Sequence, residues 1–172
     1  QIERLIAEDD KLDILEKAIR PYLAKVAQKG LTDDAAARER ALIYITEHLE
    51  DAGDMLAKQV LRPIANMTKA GNKFSEEGAG ELKRYHEKMV EKAERIEELI
   101  RTGDHTLAEQ VLQIGFKESQ LERKLRNSHL ERLHAGGTET VESSRDHLAV
   151  LSGLHAVGAK LSSVAEEVQR EL

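Results

Sequence analysis

The stretch "HLEDAGD", residues 48–54, concentrates chemistry that its surroundings do not ask for. Glu47, Glu50, Asp51 and Asp54 fall within about two turns of a helical pattern, with no lysine or arginine from Glu47 to Asp54 and a glycine at position 53. On a helix, residues three or four apart are neighbours, so Glu50, Gly53, Asp54 and Ala57 share one face, with Glu47 one turn back. Carboxylates at this spacing repel unless a cation lies between them. A hard or borderline metal ion held by oxygen ligands would resolve the conflict. So would an arginine or lysine brought in from another helix, and the spacing alone leaves both open. Acid pairs four apart also occur at Asp9/Asp13, Glu47/Asp51, Glu77/Glu81, Glu87/Glu91, Glu94/Glu98, Glu118/Glu122, Glu142/Asp146 and Glu167/Glu171. Most of these read as solvated faces.

Five long helices carry these residues. Apolar side chains recur at three and four throughout, and stop and cap signals divide them. The first helix runs from about Ile2 to Gln28 on Leu5, Leu12, Leu15, Ile19 and Leu23, with a bend expected at Pro21. Gly30 stops it and Thr32 caps the second, whose stripe is Leu42, Ile45, Leu49, Ala52 and Leu56 and which should weaken near Pro63. After the linker "KAGNKFSEEG", Ser75 caps a third helix on Leu82, Met89, Ile96 and Leu99. Gly103 and Asp104 stop and restart the chain into a fourth helix reaching about His134. Gly136 and Gly137 end that one, and the fifth starts near Thr138 on Leu148, Leu151, Gly158, Leu161, Ala165 and Val168. Helices of roughly 27 to 35 residues are about 40 to 50 Å long, and short loops make them pack antiparallel as an elongated bundle. The fold class is all-α. Gly53 sits between Leu49 and Leu56, pointing at the core stripe, and costs about 1 kcal/mol against alanine, a cost that makes sense if a neighbouring backbone must come close.

Composition excludes several function classes. Apolar residues make up 40%, charged residues 34% and aromatics 3%, with two prolines, which suits long helices rather than sheets. No cysteine is present, so there is no disulfide framework and no thiolate metal site. A net charge of −6 with few stacking aromatics argues against nucleic acid as a partner. No uninterrupted apolar run approaches the roughly 20 residues of a bilayer span. Catalysis finds no support: the seven histidines are scattered with none four apart, and there is no phosphate loop or nucleophile set. The basic run Arg123, Lys124, Arg126 and Arg132 reads as a solvated face interleaved with Glu122 and Glu131. His155 reads as a packed or surface histidine. The chain opens on Gln1, which suggests a piece of something longer.

The chain also matches itself. "LEKAIR" at 15–20 parallels "LERKLR" at 121–126, and the same offset of 106 pairs Gly30 with Gly136 and Thr32 with Thr138. At an offset of 105, "LEDAGD" at 49–54 falls on "LHAVGA" at 154–159. The chain is then one domain, residues 1–172, holding a partial copy at 1–70 and a full copy at 74–172. The third helix opens the second copy, and the first copy lacks its opening helix, which the duplication places upstream of Gln1.

"HLEDAGDMLAKQV" resembles the signature helix of the PhoU family. "FSEEGAGELKRYH", "ERKLRNSHLERLHAGG" and "VESSRDHLAVLSGLHAVGAKLSSVAE" resemble the PhoU-like cytosolic tail of bacterial sodium/phosphate cotransporters. The resemblance covers nearly the whole chain and implies a bundle of two three-helix repeats. It also implies metal binding by the acidic motif: Glu50 and Asp54 in the first copy, with Asp13 from the facing helix and Glu47 as further ligands. Iron, zinc, manganese and nickel are the candidate ions. In the second copy His155 stands for Glu50, Ala159 for Asp54 and Ser119 for Asp13, so at most one metal site is expected, in the first half. Gly158 remains, which suggests that the glycine serves helix packing in both copies.

What the resemblance implies functionally is a non-enzymatic regulatory or accessory domain of a sodium-dependent phosphate transporter. It would be cytoplasmic and tethered to the inner membrane, working on the transmembrane transport domain of the same chain or as a homodimer. A soluble PhoU-type regulator and a ligand-free helical scaffold are the alternatives.

Overall fold

The computed structural model describes residues 2–172. Within them the chain is helical throughout, with no strand: α1 (Ile2–Ala27), α2 (Asp33–Met55), a π-helical turn (Leu56–Leu61), α3 (Arg62–Lys69), α4 (Glu76–Thr102), α5 (His105–His134) and α6 (Thr138–Glu171). Since α2, the π turn and α3 are continuous, the described residues form five rods in a bundle. Capping follows the sequence closely. The Thr32, Ser75 and Asp104 side chains accept from the backbone N–H groups of Ala35, Gly78 and Thr106 at 3.3, 3.2 and 2.8 Å. Gly103 ends α4 in the left-handed conformation, at φ 65°, which a side chain would disfavour.

The second rod is interrupted as Pro63 demands, but upstream of the proline. Pro63 has no N–H to return to the carbonyl of Gln59 and its ring crowds that oxygen, so the preceding turn widens. The Arg62 N–H accordingly bonds the Ala57 carbonyl, five residues back. The extra residue shifts the buried register. Ala41, Ile45 and Ala52 are buried on α2, and the next buried positions are Ala57 and Val60, whereas Leu56 and Leu42 are exposed. The expected stripe is thereby corrected at Leu56; at Leu42, well before the turn, the buried face runs through Ala41 instead. Against the widened turn lies Gly153 of α6, where a Cβ would come within 2.9 Å of the Gln59 carbonyl and 2.8 Å of Val60.

α6 is the central rod, packed on α2, α3, α4, α5 and the π turn, while α1 touches only α2, α3 and the π turn. By length and composition α6 could cross a membrane, a property no single apolar run announced; here its inward face is spent on the bundle core. Two apolar clusters fill that core. One holds Ile45, Ile96, Leu99, Val111, Leu161 and Val168; the other holds Val60, Leu82, Tyr85, Met89, Leu125 and Leu154. Lys92, Glu118 and Gly158 fall between the two clusters along α4, α5 and α6. α1 is peripheral: Leu23 is its one buried residue among those described, and Leu5, Ile14, Leu15 and Tyr22 are exposed. The apolar face expected for the first helix therefore lies largely open.

Candidate functional site

Around Gly53, α1 and α2 come close enough that a Cβ would lie 2.2 Å from the Leu12 Cδ1 atom and 3.2 Å from the Asp9 Oδ1 atom. Close approach does explain the glycine, but the neighbour is the Leu12 side chain rather than a backbone, and it comes from α1 rather than from the core. The approach sets two acids of α1, Asp9 and Asp13, against two of α2, Glu50 and Asp54. Asp9 contacts Asp54, and Asp13 contacts Glu50. Partial burial, the Asp54 charge and the Asp13 carboxylate raise the Glu50 pKa; burial and Asp54 likewise raise that of Asp9. Asp13 is pulled below its ordinary value, chiefly by its hydrogen bond from Lys17. In each contact two carboxyl groups face one another, and Glu50 and Asp9 are the members whose pKa is raised.

The four predicted ligands fare differently. Glu50, Asp54 and Asp13 share the α1–α2 seam, and Asp9 joins them. That fourth acid was visible in the sequence as an acid four residues from Asp13, but it read as part of a solvated pair. Glu47 stands apart in an ion pair with Arg20 of α1 at 2.8 Å. Asp13 is paired with Lys17 at 3.0 Å, Asp54 with Lys58, and Asp51 with Lys160 of α6 at 2.6 Å. All-oxygen donors in two mutually repelling pairs fit a hard divalent cation in type and charge. Yet among the described residues no three His, Asp or Glu side chains converge as a metal-ligand group. The fit is one of chemistry and not of finished coordination geometry.

The corresponding place in the second half is of another kind. At Gly158 a Cβ would meet the Met89 Sδ atom at 2.8 Å and the Glu118 Oε2 atom at 3.4 Å, so this glycine also admits a neighbouring helix. Where α1 offers acids, its counterpart α5 offers Glu118, and α4 adds Lys92. Its ammonium is fully buried and donates to Glu118 Oε2 at 2.7 Å, to the Gly158 carbonyl at 2.7 Å and to Ser162 Oγ at 2.8 Å. His155 lies at the edge, its Nδ1 3.2 Å from the Tyr85 hydroxyl. An open groove of about 510 Å³ leads onto this layer between α5 and α6.

A second buried polar cluster sits near the start of α4. Glu81 accepts from Arg132 at 2.6 and 2.8 Å and from Ser128 at 2.8 Å. Burial works to raise its pKa, but the hydrogen bonds from Arg132 and Ser128 outweigh that and hold it low. Beside it His129 and His147 stack with ring centroids 4.3 Å apart, and both nitrogens of His147 lack a hydrogen-bond partner. Burial, then the neighbouring His129, lower the His147 pKa to about 4. Sequence reasoning missed both clusters. Glu81, Glu118 and Glu122 belonged to pairs read as solvated, and Arg132 to a basic run read as a solvated face; all four turn inward to partners, since Arg126 pairs with Glu122. One signal was available: Leu82, Tyr85, Met89, Ile96 and Leu99 leave a gap in the three-four rhythm that only position 92 fills.

No protein-family model matches the chain, and no solved structure does. Over 159 residues, 92% of its length, it is 26% identical to a protein of Salmonella typhimurium (strain LT2) named "Putative inorganic phosphate export protein YjbB". The protein of the same name from Escherichia coli (strain K12) is 25% identical over the same share. The relatives are phosphate-related by name. The chain spans only 29% of their length.

Proposed function

We propose that this chain is a non-enzymatic, PhoU-like accessory domain of a phosphate-transport protein, and that the α1–α2 carboxylates respond to a divalent metal ion. The observation that carries the metal reading is the seam itself: Asp9 against Asp54 and Asp13 against Glu50, with Asp9 and Glu50 raised by burial and by their neighbours. A bound metal would add positive charge between these facing carboxylates, beyond what Lys17 and Lys58 supply at the edge. Asp9 and Asp13 from α1, with Glu50 and Asp54 from α2, would hold it, fixing the peripheral α1 against the rest of the bundle. Oxygen-only donors favour manganese or iron over softer-ligand ions. The relatives' names supply phosphate transport, and the small share of their length that this chain spans supports a module attached to a transport domain. Sodium coupling, a cytoplasmic position at the inner membrane and pairing as a homodimer belong to the same proposal.

A ligand-free docking module is the second reading. Its support is that Lys17, Lys58 and Arg20 already pair with Asp13, Asp54 and Glu47. Elemental analysis of protein purified without a chelating tag, beside a Glu50→Gln/Asp54→Asn variant, separates the two. Stoichiometric metal in the parent and none in the variant is the expected result. A parent that stays empty when supplied with manganese, iron, zinc or nickel leaves the docking module.

A further inference from the structure

The Lys92 ammonium is coordinated in the way a small cation would be. Its three protons meet three acceptors of three kinds, the Glu118 carboxylate, the Gly158 carbonyl and the Ser162 hydroxyl, all within 2.8 Å. Two glycines make room for it. A Cβ on Gly115 would come within 3.4 Å of the Lys92 nitrogen and 2.6 Å of Ser162 Oγ, and one on Gly158 would press on Glu118 Oε2. The Lys92–Glu118 pair is buried and separates the two apolar clusters, and Glu118 keeps one buried oxygen, Oε1, with no partner. The offsets relating the two halves place Glu118 opposite Leu12, and Gly158 opposite Gly53. The second half has thus lost the acids at Ser119, His155 and Ala159, and holds an acid one position before Ser119, paired with a lysine from α4, the helix without a counterpart in the first half.

We propose that Lys92 is a resident cation: the second half contains a primary-ammonium site occupied by its own side chain, at the place where the first half offers acids to a cation from solution. The parallel with the first half rests on the metal reading above; the ammonium site does not. Emptied of its lysine, it takes a small primary ammonium ion from solution through the groove lined by Gly115, Phe116, Ser119, His155 and Ser162. An ammonium that keeps three N–H donors can replace all three bonds. A quaternary ion of like charge, having none, cannot.

The test is thermal unfolding of Lys92→Ala in ethylammonium chloride and, at equal ionic strength, in tetramethylammonium chloride. The variant should unfold roughly 10 °C below the parent, because one partner of a buried ion pair is gone. Ethylammonium should raise its midpoint saturably and tetramethylammonium should not; Lys92→Met and Lys92→Ala/Glu118→Gln should respond to neither. Equal responses to the two salts overturn the proposal, as does a Lys92→Met protein as stable as the parent. If Lys92→Ala does not fold alone, folding restored by ethylammonium supports the site. Failure to restore it, while Lys92→Met/Glu118→Gln folds, sinks it. Metal content of the parent is measured separately, so a metal-free first half and a failed ammonium site are told apart.

Discussion

Gly53 and Gly158 each let a neighbouring helix close in, and the charges gathered there obey opposite rules. Around Gly53 the acids are half-open to solvent: Asp9 and Asp13 lie on the peripheral α1, whose one buried residue among those described is Leu23, and Glu50 and Asp54 face them from α2. Their lysine and arginine partners are exposed, and such pairs contribute about 0 to 1 kcal/mol. Around Gly158 the charges are dry, and a lone one would be intolerable. Lys92 and Glu118 therefore come together or not at all. A wet cluster can keep unresolved repulsion and await a ligand, whereas a dry one must be complete in the folded chain.

Removing one dry partner is the severest challenge to that contrast. Glu118→Leu strands a buried ammonium and should lower stability by about 3 to 5 kcal/mol in chemical denaturation. Asp54→Asn, on the wet side, should change it by no more than about 0.5 kcal/mol. Similar losses from the two would erase the distinction.

His147 gives the next largest effect, through pH. The unfolded chain takes up this proton near the ordinary imidazole value of 6.5, while the folded chain resists until about 4. The unfolded state binds more protons in that window, so stability falls as pH drops from about 6.5 towards 4, by on the order of 3 kcal/mol from this residue. Glu81 favours the protonated ring; Arg132 and His129 oppose it. Denaturation midpoints measured across this range should fall more steeply with pH in the parent than in His147→Phe. Parallel curves would remove His147 from the acid response.

Glycine substitutions separate the contacts more finely. At Gly153 a methyl group meets the Gln59 backbone carbonyl, which cannot swing aside, so Gly153→Ala should cost about 1 to 3 kcal/mol. At Gly53 it meets the tip of Leu12, a flexible side chain on a peripheral helix. Repacking there is offset by the gain of about 1 kcal/mol in helix propensity, so Gly53→Ala should be close to neutral. Thermal midpoints of the two variants, ranked the other way, would mean that α1 is held as rigidly as α6.

How much was legible beforehand follows from what each signal depends on. Thr32, Ser75, Asp104, Gly30, Gly103 and Gly136 act on backbone within a few residues of themselves, so helix ends could be read directly. The α4 stripe was legible because seven-residue spacing survives in an uninterrupted helix. The α2 stripe failed at Leu56, because Pro63 acts backwards along the helix to insert a residue into the turn, and at Leu42, where the buried face runs through Ala41 instead. Within the candidate site, Glu50, Asp54 and Asp13 were found by spacing and resemblance. Asp9 was not, because its value lies in which helix faces it. Glu81 and Glu118 look in sequence like any other charges on helices rich in them, and Lys92 is marked only by the gap it fills in the α4 stripe.

The amino-acid sequence by itself determined the all-α class, the rods, their caps and the crowding of acids about Gly53, since periodicity, capping and glycine placement are local properties. The tertiary structure decided which charges are wet and which are dry. Burial depends on the helix across the groove, and a lysine such as Lys92 becomes an internal counter-ion only where Glu118, Gly158 and Ser162 meet it from two other helices.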